Sequence, residues 1–269
     1  MTEFSAGGNA YDDKGDGDVT FLFLPGWCGP RTYFGPLADR LSTAHRTLAM
    51  DWRGHGDSEP AAGDFGVAEL VDDAMSVIDA SGARRVIPVA AAHAGWVAID
   101  LRRRLGAERI AGVVFLDWMV LGAPAPFLDA LAGMADRATT RAAVDGLTGM
   151  WLGDLDLPAL STYVASMAAN EDEMWARSAR EIAAQFKRHG APLDNVTELD
   201  PSPPTLHLYA QPDDPAFLDA QQRFAADHPW FQVEKLDAVS HFPIFEASEA
   251  IAEHLSRFTA QIDLHSHGA

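Results

Sequence analysis

VAAAHAGWV, Val89–Val97, is the stretch on which the fold turns. It closes an apolar run of strand length, Arg85–Val89 (RVIPV), and opens a helical pattern over Gly95–Leu105. Small residues at Ala90, Ala94 and Gly95 let a strand and a helix approach closely across a sharp turn, the steric requirement of a nucleophile elbow. At the apex, where such an elbow displays its nucleophile, stands Ala92, which has no nucleophilic atom. The backbone N–H of His93 still falls where an oxyanion donor belongs.

The same alternation continues on both sides. Val19–Leu24, Thr47–Met50, Ile110–Leu116, Thr205–Tyr209 and Phe231–Leu236 read as further strands, several apolar almost throughout, as in a parallel sheet covered on both faces. Helical patterns lie at Tyr33–Leu41, Val67–Ser81, Phe217–Asp227 and Glu246–Ile262. Strand–helix alternation of this kind predicts an α/β fold with a mostly parallel, doubly wound sheet. The alternation stops between about Pro124 and Pro201. There the chain is rich in Ala, Met and Trp, with helical spacing in Pro126–Ala138, Thr139–Trp151, Leu160–Ala169 and Met174–Arg188. This predicts a helical cap, residues 124–201, inserted into a core of residues 1–123 and 202–269. The C-terminal DLHSHGA reads as a loose tail, with His265 and His267 as a weak metal-binding pair.

Composition narrows the function. Lys and Arg number 20 against 39 Asp and Glu, a formal charge of −19, which argues against nucleic-acid partners and against anionic membrane surfaces. The same charge favours a substrate that arrives neutral and apolar. Cys28 is the single cysteine, so one chain holds no disulfide and no cysteine-based zinc or iron–sulfur site. No charge-free run reaches the roughly 18 residues of a membrane helix, and the N-terminal MTEFSAGGNAYDDKGDGD lacks the basic and apolar parts of a signal peptide. A cytoplasmic enzyme-sized globule is expected.

Candidate site residues fall at the ends of the predicted strands, where open α/β sheets bind ligands. LPGWCGP, Leu24–Pro30, follows one strand, and its Gly26 lets the Trp27 N–H face the crevice. DWRGHGDSEP, Asp51–Pro60, follows the next and resembles a structural loop of many α/β-hydrolases. In it Gly54 and Gly56 allow a tight turn, Arg53 and Asp57 are expected to pair, and His55 is a loop residue. SHFPIFE, Ser240–Glu246, follows the last strand and makes His241 the best base among the ten histidines. Its acid partner is either Asp117, which ends the run VVFLD, or Asp213 or Asp214 in AQPDDP. Asp117 is ahead, because Asp213 and Asp214 also make good turn residues.

Taken together, LPGWC, WRGHG, HAGWV, LDW (Leu116–Trp118) and SHFP resemble the cofactor-independent 3-hydroxy-4(1H)-quinolone 2,4-dioxygenases of α/β-hydrolase fold. The resemblance spans roughly residues 20–122 and 203–262. It implies a His241/Asp117 dyad, with Asp117 favoured over Asp213, and oxyanion stabilisation by the N–H groups of Trp27 and His93. Trp151 resembles a tryptophan that shapes the substrate pocket in that family, and Ala92, Trp118 and Cys28 fall beside the same pocket. The implied reaction takes a small aromatic substrate and O2 with neither cofactor nor metal, opens the ring, and releases carbon monoxide and an N-acylanthranilate. Two departures stand out. Members of that family carry Ser at the elbow and can have His after Gly-Trp-Cys, where this chain has Ala92 and Gly29. Together with Ala91, Gly29 points to a pocket admitting a long alkyl chain.

Two other readings follow from the same residues. An esterase or lyase of this fold is one, with an elbow serine replaced by alanine. A ligand-binding homologue without catalysis is the other.

Overall fold

The computed structural model describes residues 2–266, so His267 lies outside the described residues, as does the side chain of His265. In chain order the elements are β1 (Thr2–Phe4), β2 (Ala10–Lys14), β3 (Val19–Leu24), α1 (Gly35–Leu41), β4 (Arg46–Met50), α2 (Val67–Ser81), β5 (Arg85–Ala91), α3 (Gly95–Arg109) and β6 (Val113–Leu116). Five helices follow: α4 (Ala125–Ala135), α5 (Thr140–Leu152), α6 (Pro158–Ala168), α7 (Asp172–His189) and α8 (Pro192–Thr197). The chain then returns through β7 (Thr205–Tyr209), α9 (Pro215–Asp227), β8 (Phe231–Lys235) and α10 (Ile244–Ser266).

The eight strands form one sheet in the order β1-β2-β4-β3-β5-β6-β7-β8. β1 and β2 pair antiparallel at one edge, and every pairing from β4 through β8 is parallel. Every residue of β3, β6 and β7 is buried, whereas edge strand β8 is only partly so. The unbroken apolar runs of the central strands thus correspond to positions covered on both faces. Helix α1 packs with α10 and α2 with α3, while α4 packs with α7 and α5 with α6 in the helical layer between β6 and β7.

The six predicted strands are all present, with shifted ends. The run expected over Ile110–Leu116 forms a ladder only from Val113, because Ala111 and Gly112 leave it and Ile110 makes an isolated bridge to Val86. Helix α3 is interrupted at Gly106 (φ 74, ψ −178), so its regular part ends at Leu105 as the pattern predicts. Three elements carry no signal in the sequence. β1 and β2 are short and polar, and α8 is a six-residue turn of helix behind Pro192. The tail differs from expectation, since α10 runs on to Ser266 instead of loosening at Asp263.

Candidate active site

Parallel register brings the candidate residues together. Leu24 pairs with Ala90 and Ala91 with Leu116, so the chain leaves the central strands β3, β5 and β6 side by side, along the edge formed by their C-terminal ends. Each exit carries a residue with positive φ that is not glycine: Cys28 (64°), Ala92 (47°) and Asp117 (51°). Such a conformation costs an L-residue on the order of 1–2 kcal/mol. These three are the residues other than glycine with positive φ among those described, and all stand at this edge. Strain of this kind concentrates where side chains must be aimed.

Asp117 is aimed at His241. Its Oδ2 lies 2.5 Å from His241 Nδ1, and its Oδ1 accepts from the backbone N–H groups of Ala210 (2.6 Å) and Gln211 (2.9 Å). Those donors stabilise a carboxylate that is almost fully buried. The carboxylate accepts a hydrogen bond from the Nδ1–H of His241, the tautomer that places the lone pair of an imidazole on Nε2. Asp213 and Asp214 are elsewhere: Asp213 pairs with Lys235 at 3.2 Å, and Asp214 caps α9 by accepting from the Ala216 N–H.

Residues flanking the dyad are locked in turn. Trp118 N–H donates to His207 Nε2 (3.3 Å), whose Nδ1 faces Gln221 Oε1 at 2.5 Å. Burial holds the His207 pKa down at about 4, so the ring is neutral with its proton on Nδ1. The Trp118 indole N–H donates to His93 Nδ1 at 3.1 Å. Burial, with the nearby His241, lowers the His93 pKa to about 3. His93 stacks on Phe127 of α4 (5.5 Å, 22°), tying the elbow to the helical layer between β6 and β7. Gly95 is required here, since a Cβ at this position would stand 2.2 Å from the Trp118 ring.

The loop after β3 is fixed by its backbone. Cys28 N–H donates to His55 Nε2 (3.1 Å), and Asn170, just beyond α6, donates to the Cys28 carbonyl (2.9 Å). Trp27 stacks on Phe65 (5.4 Å, 7°), and its own backbone N–H has no acceptor among the described residues. Burial pushes the Cys28 thiol well above its ordinary pKa, so it remains an uncharged packing group.

A cavity of about 790 Å³ opens over this edge. Trp27, Ala92, His93, Asp117, Trp118, Trp151 and His241 all line it. Cys28 does not: its buried thiol is engaged by Ser178, which takes the place at the wall. The remaining wall is mainly aliphatic and aromatic, with Leu131, Met134, Met167 and Ile182 supplied by the cap helices. Trp151 lies nearly parallel to the His241 ring.

One expected pair is corrected. Arg53 does not meet Asp57; it binds Asp73 (2.7 Å), while Asp57 turns back to Arg31 (2.9 Å). The Gly54 and Gly56 turn causes this, bringing the Asp57 N–H onto Asp51 Oδ2 at 3.0 Å. The sequence reading also missed Tyr163. It lines the cavity beside Gly29, and a tyrosine at helical spacing carries no signal of that placement.

The chain is similar to known proteins over most of its length. Residues 21–254 match the model of the alpha/beta hydrolase family. The 2-heptyl-3-hydroxy-4-quinolone dioxygenase AqdC1 of Rhodococcus erythropolis is 33% identical over 88% of this chain and 84% of its own. The 1H-3-hydroxy-4-oxoquinoline 2,4-dioxygenase of Pseudomonas putida is 32% identical over 92% and 94%. An AqdC variant that recognises and cleaves the ring of the Pseudomonas quinolone signal, solved with its substrate, superposes with a TM-score of 0.91. It is 30% identical and covers 97% of this chain and 99% of that one. The chain belongs to the alpha/beta hydrolase family and, within it, to the group of 3-hydroxy-4-quinolone dioxygenases.

Proposed function

We propose that this protein is a dioxygenase that cleaves the ring of a 2-alkyl-3-hydroxy-4(1H)-quinolone with O2, releasing carbon monoxide and an N-acylanthranilate. The observation that carries the reading is the His241–Asp117 pair facing an apolar cavity in which the elbow residue is Ala92. An acyl-enzyme hydrolase needs a nucleophile at that apex, and a methyl group provides none. A base with a buried carboxylate behind it remains.

His241 Nε2 removes the proton of the 3-hydroxyl, and Asp117 holds the ring and stabilises the imidazolium that forms. The resulting electron-rich anion reduces O2, and a peroxide bond forms at C2. Its distal oxygen adds to C4, and the N–H groups of Trp27 and His93 stabilise the oxyanion there. The O–O bond and both C–C bonds to C3 then break. One oxygen atom remains at C2 as the acyl carbonyl and the other at C4 in the carboxylate. C3 leaves as carbon monoxide with its original oxygen, so the atoms balance and no external reductant is consumed. A cavity of about 790 Å³ lies within the usual range for small-molecule sites, roughly 300–1,000 Å³, and its apolar wall suits an alkyl tail. The acidic surface and the lone buried cysteine support a cytoplasmic enzyme without nucleic-acid or membrane partners. No helix among the described residues is long and apolar enough to cross a membrane.

The test is anaerobic incubation with 2-alkyl-3-hydroxy-4(1H)-quinolones of several chain lengths, then admission of air. Carbon monoxide and one equivalent of N-acylanthranilate are expected. Absence of both at every chain length would remove the proposal.

A further inference from the structure

The segment that carries the proposed base belongs to no helix or strand. Between β8 and α10 the chain is irregular from Leu236 to Pro243, so its backbone polar groups need partners other than a ladder. Around His241, side chains supply them. Glu246, in the first turn of α10, accepts from the Val239 N–H at Oε2 (3.0 Å) and from the Ser240 N–H at Oε1 (2.9 Å). The Ser240 hydroxyl donates to the same Oε1 and accepts from the Phe242 N–H (3.2 Å). One carboxylate thus binds two successive peptide groups just before His241, and the serine closes the turn just after it.

The opposite side of the turn is held from the β7 side. Gln211 Nε2 donates to the Val239 carbonyl (2.9 Å), while Gln211 Oε1 accepts from the Asp213 N–H (3.2 Å), which braces the amide. The backbone N–H of the same residue donates to Asp117 Oδ1. Gln211 therefore joins the acid of the dyad to the turn that carries its histidine. Val239 is 62% exposed although it lines the cavity, so burial does not fix this part of the turn. Hydrogen bonds to a carboxylate are the stronger class, and two on one group set direction as well as distance.

We propose that Glu246 is a positioning residue of the reaction: with Gln211 on the opposite side, it clamps the Val239–Ser240 turn and so holds His241 against Asp117 and toward the substrate. The inference rests on the dioxygenase reading above and deepens it. A general base works only within hydrogen-bond reach of the proton it removes, and a shift of about 1 Å can cost on the order of 10²-fold in rate. The clamp also accounts for the two polar ends of SHFPIFE, Ser240 and Glu246, which the dyad itself does not use.

The test compares Glu246→Ala, which removes both acceptor oxygens, with Glu246→Gln, which keeps the shape and one of them. Glu249→Gln, at an exposed carboxylate one turn further along α10, is the control. Thermal melts set an assay temperature at which the proteins are folded, and Glu246→Gln carries the test if the alanine variant is not. Glu246→Ala should lose tenfold or more in kcat, with Glu246→Gln between it and wild type, while anaerobic substrate binding changes less than about threefold. The His241 Nδ1 proton, deshielded by its short bond to Asp117, should give a far-downfield NMR signal in the substrate-free protein. That signal should shift or broaden in both Glu246 variants and stay in place in Glu249→Gln. Unchanged kcat with an unmoved proton signal would overturn the assignment whatever the melting temperature does, because a role in stability alone predicts that pattern. So would the same changes in Glu249→Gln, which would mark a general effect of charge. Carbon monoxide release by the wild-type protein is scored separately. Its absence counts against the dioxygenase reading, whereas the proton signal, read without substrate, still decides the clamp.

Discussion

The Trp151 indole lies against the imidazole of His241, centroids 5.8 Å apart and planes 18° from parallel. A residue of α5 thus covers the imidazole of the segment after β8, and the Asp117 carboxylate holds the same ring from the β6 side. His241→Ala should lower kcat by 10²–10⁴-fold, the usual range for a general base. Trp151→Ala should lower kcat/KM while moving the melting temperature little, since Trp151 is only partly buried at the cap rim. Carbon monoxide release and thermal melts check both. Full activity in His241→Ala would dismiss the dyad.

Ala92 sits at φ 47°, a conformation that penalises any Cβ. Ala92→Gly relieves that strain but frees the unfolded chain, so its stability should stay within about 1 kcal/mol of wild type or exceed it. Ala92→Val adds a branched Cβ to the same turn and should lose well over 1 kcal/mol. Urea denaturation of the two variants decides the matter. A valine variant as stable as the glycine one would show that the turn relaxes.

Much of this arrangement is legible in the chain because it depends on local pattern. Val67–Ser81 is amphipathic from end to end and matches α2 residue for residue, and the small residues around Ala92 encode the elbow directly. Asp117 is readable as a candidate because it directly follows β6, and His241 because its segment lies between β8 and the last helix. Between Asp117 and Asp213 or Asp214 the residues alone set only a preference, for Asp117, since the contact with His241 depends on the left-handed turn at Asp117 and on the two N–H donors at Ala210 and Gln211. The Arg53–Asp73 pair spans 20 positions and a change of element, so proximity in sequence suggested the wrong partner, Asp57. Tyr163 and Gly29 are 134 positions apart and meet only when α6 folds over the sheet edge.

That contact makes its own prediction about stability. A Cβ on Gly29 would lie 2.1 Å from Tyr163 Oη but 3.2 Å from the ring carbon that bears it. Gly29→Ala should therefore cost about 1–3 kcal/mol, the usual penalty for overpacking. Tyr163→Phe removes the offending oxygen, so Gly29→Ala should cost clearly less in that background. A double-mutant cycle by chemical denaturation measures the difference. Additive effects would mean that the loop moves aside instead of meeting the tyrosine.

His207 makes stability depend on pH. Buried between the Trp118 N–H and Gln221, it has its pKa lowered to about 4, against 6.5 in an unfolded chain. The unfolded state therefore takes up a proton that the native state refuses. The stabilisation is fully present above about pH 6.5 and is lost as pH falls toward 4, roughly 2 kcal/mol of it by pH 5. Glutamine at this position can accept from Trp118 without titrating, so His207→Gln should flatten the loss between pH 8 and pH 5 by about that amount. Every other titrating group is common to both proteins, including His93, so the difference between their urea midpoints isolates His207. Parallel curves for wild type and variant would show that His207 does not resist protonation in the folded protein.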